Sequence, residues 1–273
     1  MNIVIDTNNQ SWEKLTLAND FLFGKIMRDK SLCTEMIKRI LPHIDIGDIQ
    51  FPEVQKTLRE GIDTRGIRLD VYSKSDNGKV YDIEIQTTSK KDLAKRSRAY
   101  HISIGNDILN KDTLKKTHTY KDLPDTFVIF ICTFDPFNQQ RHIYTFKNIC
   151  CEDNNLLLHD GAVTIFLNAK GKADDISPEL KAFLNFIIGI SSEDPFIKEL
   201  EKHLERARQN SEWRREFMMM SIWEQDKFEQ GRSEERKNIA IQMIREGFPV
   251  DVISHIVKES ISVIQNWIAE ANS

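Results

Sequence analysis

The stretch IDTRGIRLDVYSKSDNGKVYDIEIQ, from Ile62 to Gln86, decides the fold. Two runs with strand character flank Ser75-Asp76-Asn77-Gly78, a cluster of turn-forming residues. In a strand, successive side chains point to opposite faces. Arg68, Asp70 and Tyr72 therefore share one face of the first run, and Ile67, Leu69 and Val71 the other. In the second run Asp82, Glu84 and Gln86 oppose Tyr81, Ile83 and Ile85.

Loop length sets the register. A three-residue loop, Asp76-Asn77-Gly78, places Gly78 in the left-handed position of a bulged turn. Ser75 then pairs with Lys79 and Asp70 falls opposite Glu84, with Cβ atoms roughly 5 Å apart. A two-residue Asn77-Gly78 loop would set Asp70 against Ile85 instead, and we expect the longer loop. Like charges side by side destabilise a hairpin. A hard divalent cation between them reverses that sign, because it takes carboxylate oxygens as ligands.

An acidic residue on one strand, followed a hairpin later by Glu-x-Gln, resembles the site of PD-(D/E)xK nucleases. The chain is similar to one branch of them, the Rpn-type recombination-promoting nucleases or putative transposases. The matching pieces are Asn19-Asp20-Phe21-Leu22-Phe23, Arg68-Leu69-Asp70-Val71, Tyr81-Asp82-Ile83-Glu84-Ile85-Gln86, and a basic helix with Arg96, Arg98 and Tyr100. Leu69 stands where the superfamily has proline, and Gln86 replaces the lysine. The resemblance implies an α/β fold with a restriction-endonuclease-like core, a mixed central sheet flanked by helices, and an α-helical C-terminal extension. It also implies a Mg²⁺- or Mn²⁺-dependent DNA endonuclease related to transposases and promoting DNA recombination. Asp70, Glu84 and Gln86 would be catalytic. Asp70, Glu84 and the Ile85 carbonyl would hold the metal, with Asp20 as a further candidate ligand. The alternative is a non-cleaving DNA-binding or regulatory protein that retains the nuclease fold.

At 273 residues, 40% hydrophobic and 29% charged, the chain can bury a substantial core. A net charge of −4 makes any contact with DNA local rather than global. Residues 90 to 122 supply such a patch, with nine Lys or Arg against four Asp. Lys95, Arg96 and Arg98 are its candidate DNA-binding residues, on a helix directly after the acidic strand. Cys33, Cys132, Cys150 and Cys151 lack paired zinc-ligand spacing. Unpaired thiols without a secretory leader point to the cytoplasm, and no apolar run reaches membrane-spanning length. The chain has no glycine-rich nucleotide loop and no Gly-x-Ser-x-Gly elbow.

Along the chain, residues 1–14 read as a loose arm and 15–194 as the nuclease-like domain. Within it we expect helices from Thr16, from Ser31 to Leu41, and from Ser89 or Asp92 to Leu109. Residues 44–60 read as an extended connection, 125–134 as a strand buried on both faces, and 141–146 as a further strand. Residues 163–168 read as an edge strand and 180–190 as a covering helix. Residues 195–237 form a charged helical linker in which Met218-Met219-Met220 packs and Gly231 interrupts the helix. Residues 238–273 have the length of a helix-turn-helix, but the last helix carries no Lys or Arg to read bases. A small module for packing or homo-oligomerisation is the better reading.

Overall fold

The computed structural model describes residues 12–58, 67–89, 91–110 and 119–271. The first eleven residues of the arm, Ile62 to Gly66, and Lys90, Lys111, Asp112, Lys115 and Lys116 of the basic run lie outside the described residues. The chain divides into two compact units, Met1–Asn210 and Ser211–Ser273.

The first unit holds α1 (Asp20–Met27), α2 (Lys30–Ile40), β1 (Glu53–Leu58), β2 (Ile67–Lys74), β3 (Val80–Gln86), α3 (Leu93–Asn110), β4 (Thr126–Cys132), β5 (Ile143–Phe146), β6 (Ala162–Asn168), α4 (Pro178–Ile187) and α5 (Pro195–Gln209). The six strands form one sheet in the order β1-β2-β3-β4-β6-β5. β3–β4 and β4–β6 are parallel and the other pairs antiparallel, so the sheet is mixed. All seven residues of β3 and all seven of β4 are buried. The parallel strand β4 is a continuous apolar run, as burial on both faces requires.

The hairpin has the register of the three-residue loop: Lys74 pairs with Val80 and Val71 with Ile83. Ser75 N–H donates to the Lys79 carbonyl at 2.9 Å, and Gly78 takes φ +80°. The tip is anchored from outside. Asp76 accepts from Asp48 N–H at 2.7 Å, and the Asn77 amide donates to the Asp45 carbonyl at 3.1 Å. Gly47, at φ +65°, lies so close that a Cβ there would meet Asp76 Oδ1 at 2.5 Å.

Several elements differ from the sequence reading. The first helix starts at Asp20 rather than Thr16, because Asn19 caps it and accepts from Leu22 N–H at 3.1 Å. The segment read as a connection contains β1, an edge strand whose alternation is too weak to show in the sequence. β6 is internal, with β4 on one side and β5 on the other, and the short β5 forms the edge. The end of the arm is not loose. Trp12 is buried, and its indole N–H donates to the Arg208 carbonyl at 2.7 Å. The Arg208 guanidinium in turn donates to the Leu15 carbonyl at 2.7 Å. α5 therefore belongs with the sheet unit, whose boundary lies at Asn210 and not at 194. Asp194 caps α5 and takes a two-pronged contact from Arg39 of α2 at 2.9 and 3.0 Å.

α3 covers one face of the sheet. Leu93, Tyr100 and Ile104 pack with Tyr72, Val128 and Phe130, and Ile108 packs against them, as the stripe in the sequence implies. His101 fastens the helix to two strands, through Thr126 Oγ1 at 2.7 Å and Thr164 Oγ1 at 3.0 Å.

The second unit holds α6 (Ser211–Arg245), α7 (Val250–Val257) and α8 (Ile261–Ala271). Gly231 does not interrupt α6, which is continuous over 35 residues. A glycine inside a helix costs about 1 kcal/mol relative to alanine, too little to end one this long. Gly247, at φ +86°, ends it. Ala240, Ile253, Val257 and Ile264 form the small core of the three helices. Met218 and Met219, expected to pack, are exposed, as are Ile222, Trp223 and Phe228. Among the described residues, no helix is long and apolar enough to cross a membrane.

Two outcomes follow from the first unit. Trp12→Ala should lower unfolding stability in denaturant by about 3–5 kcal/mol, the usual cost of emptying a large aromatic site; a loose arm would show no loss. Burial pushes the His101 pKa down from 6.5 to about 4, so the fold favours the neutral ring. The stability this supplies is present above the ordinary histidine pKa and is lost as pH falls through 6.5 towards 4. Melting temperatures at pH 7 and pH 5 should diverge less in His101→Gln than in the unsubstituted protein.

Candidate active site

The site forms where β2 and β3 stop exchanging backbone bonds. Beyond the Val71–Ile83 pair, side chains bridge the strands. Asp70 N–H donates to Glu84 Oε1 at 2.9 Å, and Ile85 N–H donates to Asp70 Oδ2 at 3.2 Å. Each carboxylate thus takes a backbone amide of the opposite strand, which sets Asp70 and Glu84 side by side. The alternation in β3 adds Asp82 below Glu84 and Gln86 above it.

These acids are deep. Asp82 and Glu84 are 0% and 1% exposed, and Asp70 is half-buried. Burial, then repulsion from Asp70, raises the Glu84 pKa above the usual carboxylate range. Burial also raises Asp70, with Asp20 adding to the rise and Arg68 and Arg96 opposing it. Asp82 is raised as well, by burial and then by Glu84 and Asp70. Among the described residues, neither of its oxygens has a hydrogen-bond partner, nor does the hydroxyl of Tyr72, its cross-strand neighbour. A protonated, neutral Asp82 is the form such a pocket tolerates.

From α3, Arg96 reaches into the site. Its guanidinium donates to Gln86 Oε1 at 3.0 Å and to Tyr100 Oη at 2.5 Å, and lies 3.5 Å from Glu84 Oε2. Tyr100 Oη donates to the same Glu84 oxygen at 3.2 Å. Lys95 and Arg98 are exposed on the outer side of α3. The three basic residues expected to act together on DNA are therefore divided. Asp20 begins α1; its Oδ2 lies 4.0 Å from Arg68, and its charge reaches Asp70. Period-two alternation places Asp82 on the face of Glu84, but its lack of partners has no sequence signal. The inward turn of Arg96 has none either.

Among the described residues, no group of three or more His, Cys, Asp or Glu could hold a metal ion. The donors present are two adjacent carboxylates and the Ile85 carbonyl, all hard oxygens of the kind Mg²⁺ and Mn²⁺ accept. The fit rests on charge as well: burial pushes both carboxyls up, with Asp70 adding to the rise at Glu84 and Asp20 to the rise at Asp70, and a divalent cation would relieve this.

A comparison with protein families matches residues 17–246 to the PD-(D/E)XK nuclease family transposases. The chain belongs to that family. No curated protein and no solved structure matches it. The mixed six-stranded sheet with its helices is consistent with the restriction-endonuclease-like α/β fold, followed by C-terminal helices. Family membership supports a nuclease- or transposase-related role, and nucleases of this family generally use divalent metals.

The raised carboxyl groups make a signed prediction. A carboxyl whose pKa is raised on folding adds stability below its ordinary pKa and loses it as pH rises through the folded value. The metal-free protein should therefore melt at a lower temperature at pH 9 than at pH 6, and Glu84→Gln should flatten that fall. Mg²⁺ or Mn²⁺ at pH 8 should restore melting temperature by linkage, and less so in Asp70→Ala.

Proposed function

We propose that this protein is a divalent-metal-dependent DNA endonuclease that hydrolyses phosphodiester bonds in the service of DNA recombination or mobility. The observation that carries this reading is the reciprocal bridge of Asp70 and Glu84 across the end of the hairpin. It holds two carboxylates together against their own repulsion, beside the Ile85 carbonyl. Asp70, Glu84 and that carbonyl would hold Mg²⁺ or Mn²⁺, which when bound polarises a phosphate and lowers the pKa of a water. Asp20 is the further candidate ligand, reaching Asp70 from the start of α1.

The chain's own groups do the rest. The amide of Gln86 donates to a phosphate oxygen or to the attacking water. Tyr100 holds Glu84 Oε2, which keeps that carboxylate in one rotamer. The exposed Lys95 and Arg98 meet the DNA backbone outside the acidic pair, where charge sets affinity without reading sequence. The setting is cytoplasmic, in keeping with four unpaired cysteines.

One observation favours the non-cleaving alternative. Both Glu84 oxygens already accept hydrogen bonds, Oε1 from Asp70 and Oε2 from Tyr100. A protein that only binds DNA would need neither oxygen free.

Purified protein should cut supercoiled DNA with Mg²⁺ or Mn²⁺ and not with chelator. Asp70→Ala and Glu84→Ala should each lower the rate by about three orders of magnitude or more, as loss of a principal charge-stabilising group does, while still melting cooperatively. Undiminished cutting by either variant, with contaminating nuclease excluded, overturns the site. Metal-independent binding without cutting supports the non-cleaving alternative.

A further inference from the structure

Gln86 stands at the open end of the acidic strand, 9% exposed, with an amide that has two unlike ends. Its oxygen accepts from Arg96 Nη1 at 3.0 Å. Its nitrogen has no hydrogen-bond partner among the described residues and is not among the fully buried unpartnered atoms, so it keeps some access to solvent. The choice between the two orientations is a matter of chemistry. A guanidinium has five donors and no acceptor. Beside Arg96, the amide can present only its oxygen inward, and its NH₂ must face away.

Arg96 is itself held in place. Its other terminal nitrogen donates to Tyr100 Oη at 2.5 Å and lies 3.5 Å from Glu84 Oε2, and its side chain is only 27% exposed. Arg96 and Tyr100 are one helical turn apart on α3, so the helix that covers the sheet sets the guanidinium's position. A side chain committed to three partners in the site is poorly placed to hold the DNA backbone.

We propose that Arg96 is a positioning residue: it turns the Gln86 amide so that its NH₂ donates to the phosphate or water in the site, and it does not grip DNA. This rests on the nuclease reading above for its kinetic consequence, while the contact itself does not.

The test is a double-mutant cycle. Arg96→Met and Gln86→Met should each lower kcat by about tenfold or more, with KM for DNA within about threefold, the signature of an interaction made in the transition state. The double variant should be no slower than the slower single variant, because Arg96 acts through Gln86. Arg96→Lys, also a donor without an acceptor, should retain most of the rate. Independent, multiplying losses would overturn the proposal, as would a raised KM with kcat unchanged.

A second cycle reads the contact by thermal melting, with no need of activity. Gln86→Lys sets an ammonium against the guanidinium, so it should lower the melting temperature in the Arg96 background and much less in Arg96→Met. Additive shifts would overturn the proposal. If the unsubstituted protein cuts no DNA under any metal condition, the nuclease reading fails, and the melting cycle still decides whether Arg96 is in contact with position 86.

Discussion

Three carboxyl groups, Asp70, Asp82 and Glu84, stand on one face of two neighbouring strands, and Arg96 is the cation whose charge acts on all three. Removing carboxylates from water costs several kcal/mol each unless they are neutralised or paired. The protein meets this cost in two ways. Asp82 is held in an environment that favours its neutral form. Glu84 receives Tyr100 and the Asp70 amide, and Asp70 receives the Ile85 amide. The remaining strain is what a divalent cation would relieve.

The rest of the first unit holds this cluster in place. β3 lies between an antiparallel neighbour that supplies Asp70 and a parallel neighbour, β4, that walls it with buried apolar side chains. α3 closes the face from above, and its position is set by Leu93, Tyr100 and Ile104 in the core and by the His101 bracket to β4 and β6. α1 brings Asp20 towards Asp70 from the side. The unit is completed at a distance, where Trp12 and Arg208 join the beginning of the described chain to α5.

What was legible in the chain is what depends on local periodicity and turn chemistry. Ser75 to Gly78 specifies a three-residue loop, and the loop specifies the register. The apolar run from Thr126 to Cys132 reads as a doubly buried strand and is one. The stripe through Leu93, Tyr100 and Ile104 reads as the inner face of a helix and is that face. Misreadings occur where long-range contacts outweigh local pattern. Glu53 to Leu58 becomes a strand because β2 pairs with it, not because its own sequence alternates clearly. β6 looks like an edge because β5 is too short to announce that it lies outside it. Pro195 marks the start of a helix rather than a domain boundary, since Asp194 and Arg39 fasten that helix to α2.

The same division runs through the site. The sequence by itself determined that Asp70 and Glu84 share a face and a register, because side-chain alternation and loop length are local properties of a hairpin. It also determined that a basic helix follows directly. Only the tertiary structure decided that Arg96 turns inward while Lys95 and Arg98 stay outside, that Tyr100 meets Glu84, and that Asp82 has no hydrogen-bond partner among the described residues. The reason is geometric: helical spacing says which residues of α3 share a face, but the docking of that helix on the sheet decides which of them reach the acids.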